Sequence, residues 1–123
     1  MSKPTQSELK ILQVLWDMGP SSVRTVHEEI ALDKDAGYTT TLKLMQIMAE
    51  KGLAGRDTTA RTHIYTASIP EEQTKQSLLS SFISSTFKGS TRSLVMQALG
   101  GSETSQEDLD EIKKLISNIE KTK

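Results

Sequence analysis

Cysteine is absent from this chain of 123 residues. That absence excludes disulfides, thiolate metal sites and cysteine nucleophiles at once. Long apolar runs are missing too, and nothing approaches the ~20 residues of a membrane span. Met1-Ser2-Lys3-Pro4 opens no signal peptide, so the expected compartment is the cytoplasm, without membrane insertion. An excess of one charge is likewise missing, because the net charge is −1. Composition therefore offers no global argument for nucleic acid. Histidine occurs only at His27 and His63, in different elements, which is the pattern of isolated surface histidines rather than a metal site. Serines such as Ser80, Ser81, Ser84 and Ser85 have no attendant base, and no carboxylate pair sits in an apolar setting. Catalysis finds no support, and no cofactor or metal is expected.

What is present suits one small domain with an appendage. The chain is 35% hydrophobic and 25% charged, near globular values, so it can build a core. Charge is uneven at fine scale. Between Tyr38 and Tyr65 stand four cations (Lys43, Lys51, Arg56, Arg61) against two acids, Glu50 and Asp57. Between Glu103 and Glu111 there are five acids and no cation. The first stretch can face a polyanion; the second cannot.

Period and punctuation predict mainly helix with one small hairpin. A first helix runs from Thr5 or Ser7 to Asp17, with Ser7 as cap, Leu9, Leu12 and Trp16 on one stripe, and Gly19-Pro20 as its stop. Trp16 is expected to anchor the core. A second helix follows Ser21-Ser22 with Val23, Val26 and Ile30 inward, and Asp33 to Gly37 is a polar connection. The third helix, Thr39 to Lys51, is closed by Gly52. Two short strands, 53–56 and 62–67, flank a turn at Asp57-Thr58-Thr59-Ala60. Pro70 then opens a helix that Gly89 stops. A short helix from Thr91 to Leu99 ends at Gly100-Gly101, and a last one spans Ser105 to Glu120. Its Leu109, Ile112, Ile116 and Ile119 sit at spacings of 3, 4 and 3, an a/d seam.

Three helices followed directly by a hairpin have the order of a winged helix-turn-helix. Its third helix is the one expected in the major groove, whose width of about 12 Å admits a single helix. With Thr41, Leu44, Met45 and Met48 turned inward, the outward face shows Thr39, Thr40, Lys43 and Gln46. Threonine methyls suit thymine methyls, Gln suits adenine, and Lys suits guanine or phosphate. Arg56 and Arg61 flank the hairpin tip, within reach of phosphates or a narrow minor groove. A polar face of this kind on its own is an ordinary solvated surface; its occurrence after the right two helices favours DNA. The competing reading is a winged helix that binds protein and no DNA.

Three stretches carry a resemblance: "PTQSELKILQVLWDMGPSSVRTVHEEI", "KDAGYTTTLKLMQIMAEKGL" and the following "HIYT". Together with "SLVMQAL" (Ser93 to Leu99) and the tail, they resemble the penicillinase and methicillin-resistance repressor family of bacteria (BlaI/MecI type) over nearly the whole chain. The resemblance implies a homodimeric winged-helix repressor in two parts, a DNA-binding domain at 1–70 and a helical dimerisation region at 71–123. The partner would be a palindromic operator, met by the helix 39–51 and the wing 53–67, with Thr39, Thr40, Lys43, Gln46, Arg56 and Arg61 as contacts. In the β-lactam-responsive members, a membrane sensor system triggers cleavage between an Asn and a Phe in the short helix of that region. Gln97 and Ala98 occupy the matching positions, a departure that puts the sensor-protease partner in question and leaves room for another signal, such as a small ligand in the dimer cleft. The copper-responsive branch, with its cysteine-rich tail, is excluded on chemistry. Apolar excess in 71–123 agrees with a two-fold interface, the alternative being a monomeric helical cap on the first domain.

Overall fold

The computed structural model describes residues 3–30, 37–101 and 103–123. Among these described residues, six helices and three short strands follow in the order α1 (Gln6–Met18), β1 (Ser21–Ser22), α2 (Val23–Ile30), α3 (Tyr38–Lys51), β2 (Ala54–Asp57), β3 (Ile64–Ala67), α4 (Glu71–Thr86), α5 (Thr91–Gly101) and α6 (Gln106–Thr122). The chain divides into two compact units, Met1–Leu78 and Leu79–Lys123.

Local chemistry sets the helix limits of the first unit. Thr5, not Ser7, caps α1: its hydroxyl accepts from the Glu8 N–H at 3.2 Å while Glu8 Oε1 accepts from the Thr5 N–H at 2.9 Å. This reciprocal box satisfies two donors that the first turn would otherwise leave open. Ser7, two residues along, already lies inside the helix. Ser22 begins α2 by accepting from the Thr25 N–H at 3.2 Å. Helix α3 starts one residue earlier than Thr39, because the Gly37 carbonyl accepts from Thr40 and Thr41. It stops at Gly52, whose φ of +83° places it in the left-handed region that a Cβ resists. The expected connection at 33–37 lies outside the described residues except for Gly37.

The sheet is three-stranded and antiparallel, in the order β1-β3-β2. Arg56 pairs with Tyr65 and Asp57 with Ile64, while Ser21 pairs with Tyr65 and Ser22 with Ile64 from the other side. Strand β1 is the element the period of the sequence does not announce. Two residues are too few to show alternation, and only β3 gives them a partner. The hairpin strands also shift from expectation: β2 begins at Ala54 rather than 53 and β3 at Ile64 rather than 62. Leu53 leaves the strand for the core, where it is buried and its carbonyl accepts from the Ser68 N–H at 2.9 Å. In the turn, Asp57 Oδ1 accepts from both the backbone N–H and the hydroxyl of Thr59, at 2.9 and 2.7 Å.

The core of this unit joins Ile11, Leu12 and Leu15 of α1, Val23 and Val26 of α2, Met45 and Met48 of α3, and Leu53, Ala54, Tyr65 and Ile69. Leu44, expected inside, is only half-buried, whereas Thr41 is fully buried. Trp16 packs against the core half-buried rather than inside it, and its indole N–H donates to the Ile69 carbonyl at 3.0 Å. It thereby ties the end of α1 to the segment leading into α4.

In the second unit, Phe82 meets Phe87 edge to face with ring centres 5.6 Å apart. Lys88 and Gly89 reverse the chain with φ values of +53° and +82°. Ser90 then caps α5 by accepting from the Ser93 N–H at 3.1 Å. Helix α5 runs on through Gly100 and Gly101 instead of ending at Leu99. Glycine lowers helix stability by about 1 kcal/mol without forbidding it. Ser105 caps α6 by accepting from the Asp108 N–H at 3.0 Å, and the helix continues to Thr122. No described residue of 79–123 is buried.

Candidate nucleic-acid interface

Helix α3 is held from both ends. At its start, the Thr41 hydroxyl meets His27 Nδ1 of α2 at 2.9 Å, and the Tyr38 ring stands edge-on to the His27 ring at 5.6 Å. At its end, Lys51 Nζ donates to both carboxylate oxygens of Glu8 in α1, at 2.9 and 2.8 Å. The Glu8 side chain is 3% exposed and that of Lys51 30%. Burial works against the Glu8 charge. The Lys51 hydrogen bonds and charge, with the Thr5 contacts, outweigh it and leave the carboxyl below its ordinary range. These ties fix the rotation of α3, and with it which side chains face out.

The outward face carries Thr39, Thr40, Lys43 and Gln46, all exposed, joined by Ile47 and Glu50. Arg56 projects from β2 and Arg61 from the loop 58–63, and both are exposed. The fold therefore presents all six expected positions at the surface. It brings Arg61 into a groove between the starts of α2 and α3 and the hairpin loop, where Arg24, Tyr38 and His63 also line the wall. The groove lining does not include Arg56.

Arg24 and Tyr38 enter as members of this surface that the sequence alone does not single out as contacts. The Arg24 guanidinium carbon lies 5.7 Å from the centre of the Tyr38 ring, a cation–π contact between α2 and α3. Their signal was present in the sequence: an arginine on the polar side of the second helix and an aromatic one residue before the third. Nothing local, however, says that the two meet. Two guanidinium groups and an imidazole stand around one groove, with no carboxylate among its described lining residues, a donor-rich and acceptor-poor set suited to an anion. The two histidines play separate parts, His27 between helices and His63 at the loop. Among the described residues no cluster of three or more metal-ligating side chains occurs.

Three helices with the third held across the first two, followed by a hairpin packed on the same core, define a winged helix-turn-helix. The sequence comparison makes this specific. The chain belongs to the penicillinase repressor family, whose profile matches residues 4–118, and it is a transcriptional repressor of the winged-helix type. It is 23% identical over 113 residues to the methicillin resistance regulatory protein MecI of Staphylococcus aureus strain N315, covering 92% of each chain. It is 20% identical over 117 residues to the penicillinase repressor of Staphylococcus aureus, covering 95% of this chain and 93% of that one. Among solved structures it is similar in fold to the transcriptional regulator Tm0710 from Thermotoga maritima, with a TM-score of 0.54 and 17% identity over 96% of this chain and 78% of that one. Among the described residues no helix is long and apolar enough to cross a membrane.

Proposed function

We propose that the protein represses transcription as a homodimer, each copy laying α3 in the major groove of one half of a palindromic operator. The observation that carries the DNA contact is the outward face of α3, with Thr39, Thr40, Lys43 and Gln46 exposed on a helix braced at both ends. Hydroxyl, amide and ammonium groups at successive turns match the donors and acceptors of base edges. Arg56 and Arg61 of the wing, with Arg24 beside Tyr38, take phosphates and set the register. We assign DNA binding to residues 1–70 and dimerisation to 71–123, although the first compact unit extends eight residues further, to Leu78. What supports dimerisation is the want of any buried side chain among the described residues of 79–123, although Leu79, Phe82, Val95, Leu115, Ile116 and Ile119 are apolar and exposed there. Helices of this length gain most of their stability from packing an apolar face, and a second copy supplies one. Gln97 and Ala98, exposed on α5, differ from the Asn-Phe pair of β-lactam-responsive members, so we assign release of DNA to a signal other than cleavage there.

Fluorescence anisotropy on the DNA upstream of the protein's own gene, against scrambled DNA of equal length and over a salt series, tests the reading. Preference for the upstream DNA with a steep loss of affinity in salt is expected. Lys43→Ala and Gln46→Ala should each weaken that binding by roughly 10²-fold, because one base contact worth about tenfold is lost in each half-site. Equal, weak binding to both DNAs that neither substitution changes would point to the protein-interaction module instead.

A further inference from the structure

Ile47 lies outside the hydrophobic core that the described residues of its unit build. It lies on α3 and is 37% exposed, while Met45 and Met48 on the same helix are buried. At 3.6 residues per turn, Thr41, Met45 and Met48 centre the inward side, and Lys43 and Glu50 stand opposite. Gln46 and Ile47 flank that line, each roughly 50° from it, and Thr40 shares the edge of Ile47 two turns earlier. The exposed Tyr38 is accounted for by Arg24 and His27. Ile47 is therefore the aliphatic side chain on an otherwise polar recognition face. The major groove displays donors and acceptors, and its one aliphatic group is the 5-methyl of thymine. Isoleucine is branched and stiff at χ1, so little freedom is lost when its methyl groups are covered.

We infer that Ile47 is a specificity-determining residue that packs against the 5-methyl group of a thymine in the major groove. The inference rests on the reading of α3 as the helix that enters the groove. Lys43 and Gln46 select by hydrogen bonds; Ile47 selects by shape and apolar contact, and it discriminates thymine from cytosine and from uracil. Covering one methyl group is worth about fourfold in affinity.

The test begins with the full chain enriching duplexes from a random-sequence pool. In the enriched duplex each thymine is replaced in turn by deoxyuridine, and affinity is read by anisotropy for the unaltered protein and for Ile47→Ala. At one thymine in each half-site, loss of the methyl should weaken the unaltered protein about fourfold per site and leave Ile47→Ala unaffected. Ile47→Val, which keeps the branch and loses one methylene, should show a smaller uracil effect than the unaltered protein. Uracil effects that are absent, or equal in all three proteins, overturn the assignment while the repressor reading stands. Failure of the pool to enrich any sequence overturns both. The uracil scan on the unaltered chain requires no variant, so a folding defect cannot mask the first result.

Discussion

Glu8 and Lys51 lie 43 positions apart, and their ion pair joins the first turn of α1 to the last turn of α3. A carboxylate this buried is tolerated because the Thr5 N–H and the Lys51 ammonium both donate to it. Lys51→Met should destabilise the fold by about 2 kcal/mol in urea titration, below the 3–5 kcal/mol typical of fully buried pairs because Lys51 keeps contact with water. The pH dependence has a definite sign. The Glu8 carboxyl is held below its ordinary value of 4.5 in the folded protein. Its contribution is therefore present above that value and lost as pH falls through the lower, folded one. Glu8→Gln should be less stable than the unaltered protein at neutral pH, and the gap should narrow as pH falls below 4.5 and close once Glu8 is protonated in the folded protein. A gap that stays constant over that range would remove the ion pair as its cause. In the sequence Glu8 reads only as a first-turn acid, because nothing local reports a lysine from another helix.

At the scale of elements, the wing and the third helix divide the work. Helix α3 was legible in its threonine-rich start, in Gly52 as its stop and in Thr41, Met45 and Met48 of its inward stripe, while Leu44, also expected inside, is half-buried and Ile47 joins the outward face. The hairpin was legible in kind, since β-branched and aromatic residues surround an Asp-Thr-Thr turn, but its strand limits moved by one or two residues. The reason is that register is decided by burial of Leu53 and Tyr65 in a core built by other elements. Strand β1 was not legible at all. For the wing, phosphate contacts predict a particular readout. Arg56→Ala and Arg61→Ala should each reduce the slope of log affinity against log salt by about 1.8, one phosphate contact in each copy of the dimer, with selectivity between DNA sequences little changed. An unchanged slope in both variants would take the wing off the DNA backbone.

Over the whole molecule, the two units differ in the way they can be stable. The described residues of 1–78 own a core of eleven buried apolar side chains. The described residues of 79–123 own none and expose Leu115, Ile116 and Ile119 along α6. Ile116→Asp, which places a charge on that seam, should give a single-chain mass in equilibrium sedimentation. It should also lower affinity for a two-half-site duplex by about 10²- to 10⁴-fold, the gain that linking two sites confers. Affinity for one half-site should be unchanged. A dimer that survives the substitution would move the interface off α6.

The sequence by itself determined the helices and most of their ends, the hairpin, the exclusion of thiol chemistry, and the polar face of α3, while the cap of α1 moved from Ser7 to Thr5 and α5 ran on past Leu99. All of these rest on interactions between residues a few positions apart, which period and residue type record directly. The tertiary structure decided what distant segments do to one another: the Glu8–Lys51 pair, the Thr41–His27 contact, Arg24 on Tyr38, the third strand, and Trp16 set at the edge of the core instead of inside it. Such contacts depend on how helices cross and on which surfaces close on the core, and no local pattern carries that information. Ile47 shows the division in one residue. Its identity and helical position are plain in the sequence, but only the packed core leaves it facing out.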